Sequence, residues 1–326
     1  MNKSDKLRLA EKFKTDKRLW LYAIAVIVLA LLIALPRIVN PYLCSVVFLM
    51  FIYIAYAEAW NIMTGFTGYI NFGFSVFAGI GGYASAILII DHGIWWPVGW
   101  LLGGVFASIG ALILGSFMLR LRGSYFAIGM LVILLASGVL ATTKYLTPLT
   151  HGGYGFQFVQ PVSDLEMYYS AFFISAATVF AAYKIITSSF GAKLLAIRED
   201  EEGAGSIGIN TTKEKISAFA ISGFFAGLAA SVFFAFQNYI DPSSAFSAWY
   251  NSLPIIMVLL GGIGTLWGPV LGAVIMIFVE EFFWSILPET YFMACGAVIV
   301  LLVLLLPGGI ITWFKSRGIL PRTRAI

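Results

Sequence analysis

Long apolar runs separated by short polar connections dominate the chain. Runs such as Leu19 to Leu35 and Ile299 to Leu306, with their flanks, reach the ~20 residues that cross bilayer hydrocarbon as a helix. After the first run, the pattern predicts helices at Pro41 to Ile62, Ser75 to Ile90, Trp95 to Leu119, Ser124 to Thr143, Tyr168 to Thr187, Ile216 to Ile240 and Thr290 to Leu306. Short alternating segments of the strand type are absent, which excludes a porin-like barrel. The predicted fold is all-α, a polytopic membrane protein.

The stretch Ser252 to Trp284 is harder to thread. Pro254 and the run Gly261-Gly262-Ile263-Gly264-Thr265-Leu266-Trp267-Gly268-Pro269 interrupt it, and both residue types disfavour a continuous helix. Charge decides the parity. The basic run Met1 to Arg18 and the tail with Lys315, Arg317, Arg322 and Arg324 both belong in the cytoplasm, because cationic flanks are retained there. Even parity follows if Ser252 to Gly262 and Leu266 to Trp284 are two spans, giving about ten helices with discontinuous segments; one long tilted helix is the alternative. The apolar run after Arg18 lacks a small-residue cleavage pattern, so it is expected to remain as the first helix. The organisation expected is a basic N-terminus (1–18), a first transmembrane half (19–187), a cytoplasmic segment (188–215), a second transmembrane half (216–312) and a basic tail (313–326).

Composition agrees with the bilayer and narrows the chemistry. The chain is 60% hydrophobic and 11% charged, against about a quarter charged in soluble domains. A formal charge of only +4 gives no nucleic-acid reader, and Cys44 and Cys295 lie inside apolar runs, so neither suggests a disulfide scaffold. Two His (His92, His151) and two Cys are too few for an ordinary structural zinc site. No cofactor is expected. A phosphate loop of the form G-x-x-x-x-G-K-[ST] is missing, so the chain cannot use ATP by itself, and no G-x-S-x-G elbow or H-E-x-x-H pair suggests an enzyme.

Three segments carry candidate function. Gly65 to Gly73 and Gly261 to Gly268 occupy similar places in the two halves, a pairing that points to an internal repeat and to irregular backbone bordering a solute path. Close helix packing by small residues, as at Gly79 to Gly82 or Gly223 to Gly227, is the other reading of such glycines. Around the first run, Glu58, Asn61, Asn71 and Ser75 are candidate path residues, since ionisable and polar groups in hydrocarbon are costly and tend to be functional. Glu58 lies near the cytoplasmic end of its helix, within reach of the interface. The competing classes are a secondary carrier and an orphan membrane scaffold, and a proton-coupled carrier would be expected to carry deeper carboxylates or membrane-embedded His. The third segment, Ser188 to Lys215, is polar and cytoplasmic. Ala192 to Glu202 is predicted to be a short helix, and Gly203, Gly205 and Gly208 a turn, a layout suited to docking a cytoplasmic partner.

The residues of that segment, Gly191-x-x-Leu194-x-Ala196-Ile197-Arg198-Glu199-Asp200 followed by Gly208-Ile209-Asn210, resemble the cytoplasmic signature of the permease subunits of branched-chain amino-acid ABC importers. Glu202-Gly203-Ala204-x-x-x-Gly208 keeps the spacing of the importer coupling motif E-A-A-x-x-x-G. Leu260 to Gly272 and Leu119 to Ile128 are similar to further family patterns, and the likeness runs from about Tyr53 to Pro307.

The resemblance implies an ATPase-coupling role for Gly191, Ala196, Arg198, Glu199, Asp200, Glu202, Ala204 and Gly208. It also implies a homologous partner permease, two cytoplasmic ABC ATPase subunits, an extracytoplasmic solute-binding protein, and residence among the lipids of a bacterial or archaeal cytoplasmic membrane with both termini cytoplasmic. The chain departs from the family with Tyr69 for a usual glutamine, Phe74 for a usual histidine, and Gly152-Gly153-Tyr154-Gly155-Phe156 without an aspartate. Permeases for urea and short amides share the scaffold, so the resemblance leaves the cargo open between branched-chain amino acids and related small solutes.

Overall fold

The computed structural model describes residues 27, 30–158, 162–286, 289–290, 293, 296–297, 300–301 and 308–317. Expectations for the basic N-terminus, for most of the first helix and the helix at 290–306, for Cys295, and for Arg322 and Arg324 lie outside the described residues. The chain divides into two compact units, Met1–Val47 and Phe48–Ile326. In the first, a 3-10 turn at Leu35–Arg37 carries Pro36, and the Asn40 side chain accepts from the Leu43 N–H at 2.9 Å, starting the helix that follows.

That helix, α1, runs Pro41–Trp60 and continues through a π turn at Asn61–Gly65. Next come α2 (Phe74–Ala86, ending in a π turn at Ile87–Asp91), α3 (Trp96–Met118), α4 (Ser124–Ala141) and α5 (Asp164–Ile186). Two short helices follow, α6 (Ser189–Glu199) and α7 (Glu201–Ser206), then α8 (Thr211–Phe236), α9 (Ala248–Gly261), α10 (Trp267–Ile286) and α11 (Gly309–Ser316). A two-residue strand pair, β1 (Phe156–Gln157) with β2 (Tyr239–Ile240), ties together the loops before α5 and after α8. Among the described residues, eight helical segments are long and apolar enough to cross a membrane. The protein is an all-α, multi-pass membrane protein.

The troublesome stretch 252–284 folds as two helices. Gly262 and Gly264 between them adopt φ of 131° and 73°, values that a side chain disfavours, so the chain turns back where the glycines stand. Thr265 closes the turn, donating its hydroxyl to the Gly262 carbonyl and accepting from the Gly268 N–H at 3.1 Å.

The centre of the larger unit is α8 packed on α2 and α3. Helix association in lipid relies on close van der Waals contact, which small residues permit. A Cβ on Gly81 would collide with the backbone of Gly227, and one on Gly227 with Ala107, so the three helices meet nearly backbone to backbone. Ser231 adds hydroxyl bonds to the Gly81 and Gly227 carbonyls at 3.1 and 2.8 Å. At Gly79 to Gly82 and Gly223 to Gly227, packing is therefore the correct reading of the glycines. Two apolar clefts of about 790 and 410 Å³ lie between helices, and neither is lined by Glu58, Asn61, Asn71 or Ser75.

Candidate functional site

The two glycine-rich runs and the polar segment, far apart in sequence, come together at one end of the bundle. In the first run the helical ladder fails after the π turn. The Tyr69 N–H goes to the Thr67 hydroxyl at 3.3 Å instead of back along the helix, leaving the Gly65 carbonyl in need of a donor. The connection then folds onto α1: the Trp60 indole donates to the Asn71 carbonyl at 2.9 Å, and the Asn71 N–H to the Thr64 hydroxyl at 3.2 Å.

Asn61 staples this run to the second. Its Oδ1 accepts from the Gly264 N–H at 2.9 Å, and its Nδ2 donates to the Thr265 carbonyl at 3.0 Å and to Glu58 Oε2 at 3.4 Å. Backbone groups left unpaired inside a membrane protein are costly, so one buried amide here satisfies a donor and an acceptor of a turn some two hundred residues on.

The other candidate path residues are equally enclosed. Glu58 and Asn71 are fully buried and Ser75 nearly so. Glu58 is enclosed by protein because the bundle closes around the end of α1. Asn71 Oδ1 accepts from the Gly73 N–H at 2.9 Å, and the Ser75 N–H donates to Asn251 on α9 at 3.2 Å. Glu58 Oε1, Asn71 Nδ2 and Ser75 Oγ have no hydrogen-bond partner among the described residues.

The polar segment differs from the single helix expected at Ala192 to Glu202. Asp200 takes extended backbone (φ −157°, ψ 106°) and splits it into α6 and α7, and its carboxylate caps the second by accepting from the Glu202 N–H at 3.0 Å. Gly203 and Gly205 are helical, so the turn falls at Gly208 alone, with φ of 89°. Asn210 then caps α8 through the Lys213 N–H at 3.0 Å.

Leu194, Ile197 and Ala204 are buried against the bundle, and Gly191 sits where a Cβ would strike the Ile185 carbonyl. Ala196 is half-buried, whereas Arg198, Glu199, Asp200 and Glu202 are exposed. Glu202 pairs with Arg122 at 2.6 Å on the surface, a contact worth little energy in water.

Arg198 and Glu201 tie the segment to the first run. Arg198 Nη1 donates to the Gly65 carbonyl at 2.6 Å. Glu201 accepts from the Tyr69 hydroxyl and pairs with Lys215 at 2.5 Å, and the Lys215 ammonium sits 4.2 Å from the centre of the Tyr69 ring. Burial pushes the Tyr69 phenol well above its usual range, and the bond and charge of Glu201 push it further. Burial also acts to raise Glu201, but hydrogen bonds from Lys215 and Tyr69 and the Lys215 charge outweigh it, and the carboxyl titrates below its ordinary 4.5.

Lys215, expected to face the cytoplasm, is buried because α8 carries it under this cluster. Sequence reasoning missed Tyr69, Glu201, Lys215, Asn251 and the exposed Ile207 as parts of the site. The substitution of Tyr69 for the family's glutamine was the one available signal.

The chain is thus a multi-pass helical bundle with a two-helix segment braced against two glycine-rich turns. Residues 42–306 match the family described as the permease component of branched-chain amino acid transport systems, and the chain belongs to that family. It is a permease subunit of an ATP-binding-cassette transporter. Among its relatives is the high-affinity branched-chain amino acid transport system permease protein LivM of Escherichia coli (strain K12), 26% identical over 333 residues that cover 93% of this chain and 75% of the relative. The LivM protein of Salmonella typhimurium (strain LT2) is likewise 26% identical, over 337 residues and with the same coverage.

Proposed function

We propose that this chain forms the translocation path of an importer for branched-chain amino acids. Its partners are a homologous permease, two cytoplasmic ATPases and an extracytoplasmic solute-binding protein, in a bacterial or archaeal cytoplasmic membrane with both termini cytoplasmic. The observation that carries the reading is the form of the α6–α7 segment. Its inner side is anchored by Leu194, Ile197 and Ala204, while its outer side presents Glu199, Asp200, Glu202 and an apolar tip, Ile207, that is 76% exposed. An exposed apolar side chain at the end of a rigid helical pair, rimmed by acids, suits insertion into a partner groove.

Glu58, Asn71 and Ser75 are the proposed path-side groups, since each keeps a polar atom with no protein partner among the described residues while fully or nearly enclosed. Asn61 supports them by holding the turns in register.

Affinity purification of the tagged chain tests the reading. A P-loop ATPase and a second permease co-purify, and Glu202→Lys with Ile207→Asp weakens retention of the ATPase. Transport by the purified chain alone contradicts it and favours an ion-coupled carrier.

A further inference from the structure

Arg198 is an exposed residue of α6, yet its guanidinium ends on the Gly65 carbonyl, the acceptor that the failing helix of α1 leaves open. Its stem crosses Gly68, where a Cβ would lie 3.2 Å from Arg198 Cγ, and its head lies beside Gly264, where a Cβ would collide with Nη1. Two glycines, one from each turn, thus leave room for one arginine, and a third, Gly65, supplies the acceptor. A few residues on, Glu201 grips the middle of the same connection through the Tyr69 hydroxyl, and the buried Lys215 holds Glu201 in place at 2.5 Å.

Building on the docking role proposed above, we infer that Arg198 and the Glu201–Tyr69 pair form a two-point latch by which α6–α7 holds the first glycine-rich connection. Asn61 links that connection to the second turn, so a displacement of α6–α7 reaches both turns at once. Arg198 is on this reading a positioning residue that faces the membrane helices, while Glu199, Glu202 and Ile207 face the ATPase. A guanidinium suits the task because its planar fork fixes direction as well as charge, which a lysine ammonium does less well. Packed elements of this kind switch between discrete arrangements, and a link of a few polar contacts can carry the switch from one to the next.

The test uses the assembled complex in proteoliposomes with loaded binding protein. It measures solute uptake, ATP hydrolysis and ATPase retention for Arg198→Ala, Arg198→Lys, Tyr69→Phe and the Arg198→Ala/Tyr69→Phe double variant. Loss of a charged hydrogen bond is enough to shift a two-state coupling by about tenfold. Arg198→Ala is therefore expected to lower uptake about tenfold while the ATPase is retained and basal hydrolysis persists, so that more ATP is spent per solute.

Arg198→Lys recovers part of the uptake, and the double variant is less impaired than the product of the singles, as expected for one device. Normal uptake by Arg198→Ala with normal retention overturns the latch. Loss of ATPase retention in Arg198→Ala overturns it as well, by placing Arg198 in docking. The docking reading fails separately, if Glu202→Lys and Ile207→Asp leave ATPase retention unchanged.

Discussion

Asn61 shows how one side chain can organise a site that the sequence spreads across the chain. Its amide uses both ends on Gly264 and Thr265, and an apolar replacement would leave a buried N–H and carbonyl without partners, at about 1–3 kcal/mol each. Asn61→Leu is expected to lower the amount of folded permease recovered in detergent, measured by size-exclusion chromatography. Asn71→Leu behaves differently, because Nδ2 bonds no described residue while Oδ1 only caps the local turn. Uptake falls while assembly with the ATPase is kept, and wild-type uptake in that variant would return Asn71 to a packing role.

Glu201 gives the pH prediction. Its folded-state value is held below 4.5, so its stabilising contribution is present above that value and is lost as pH falls through the lowered one. The thermal midpoint difference between wild type and Glu201→Gln should therefore stay constant over about pH 5.5 to 8 and shrink only under stronger acid.

At the scale of elements, the decisive features are the places where helices stop. Gly208 turns the chain between α7 and α8 with φ of 89° and with open space around it, so Gly208→Val suffers from backbone strain, about 1–3 kcal/mol, and not from collision. Uptake is expected to fall with the permease still reaching the membrane, as read by immunoblot of membrane fractions. Gly227→Leu is the contrasting case: the added side chain meets Ala107 and the Gly81 backbone, and overpacking of about 1–3 kcal/mol should lower the yield of folded protein itself.

Spans were legible in the sequence because hydrocarbon demands long apolar helices, and the turn at Gly261 to Gly268 because glycine and proline break them. The split of α6 from α7 was not legible, since Asp200 reads as one more charge in a charged helix until its carboxylate is seen capping Glu202. Nor was the burial of Lys215, whose neighbours Lys213 and Glu214 suggest a solvated start to α8. The pairing of Arg198 with Gly65 depends on tertiary approach alone, and no spacing in the sequence encodes it.

Across the whole molecule, the contact of the first glycine-rich turn with α6 and α7, and of the second with Arg198 of α6, puts three connections at the same end of the bundle, where the parity of crossings also puts them. Single cysteines at Tyr154 and Glu289 should react with an impermeant reagent in intact cells, whereas one at Ile207 should react only after the membrane is opened. Labelling of all three from outside would break the proposed orientation.

The chain carries no phosphate loop, and the proposed function assigns the drive to separate ATPases. The most direct measurement is uptake of radiolabelled leucine into proteoliposomes holding the purified permease pair and ATPases, with loaded binding protein outside and ATP inside. Accumulation that requires both ATP and the binding protein, and that disappears when the ATPases are omitted, is the predicted result. Accumulation by the permease alone, driven by an ion gradient and indifferent to ATP, would contradict it.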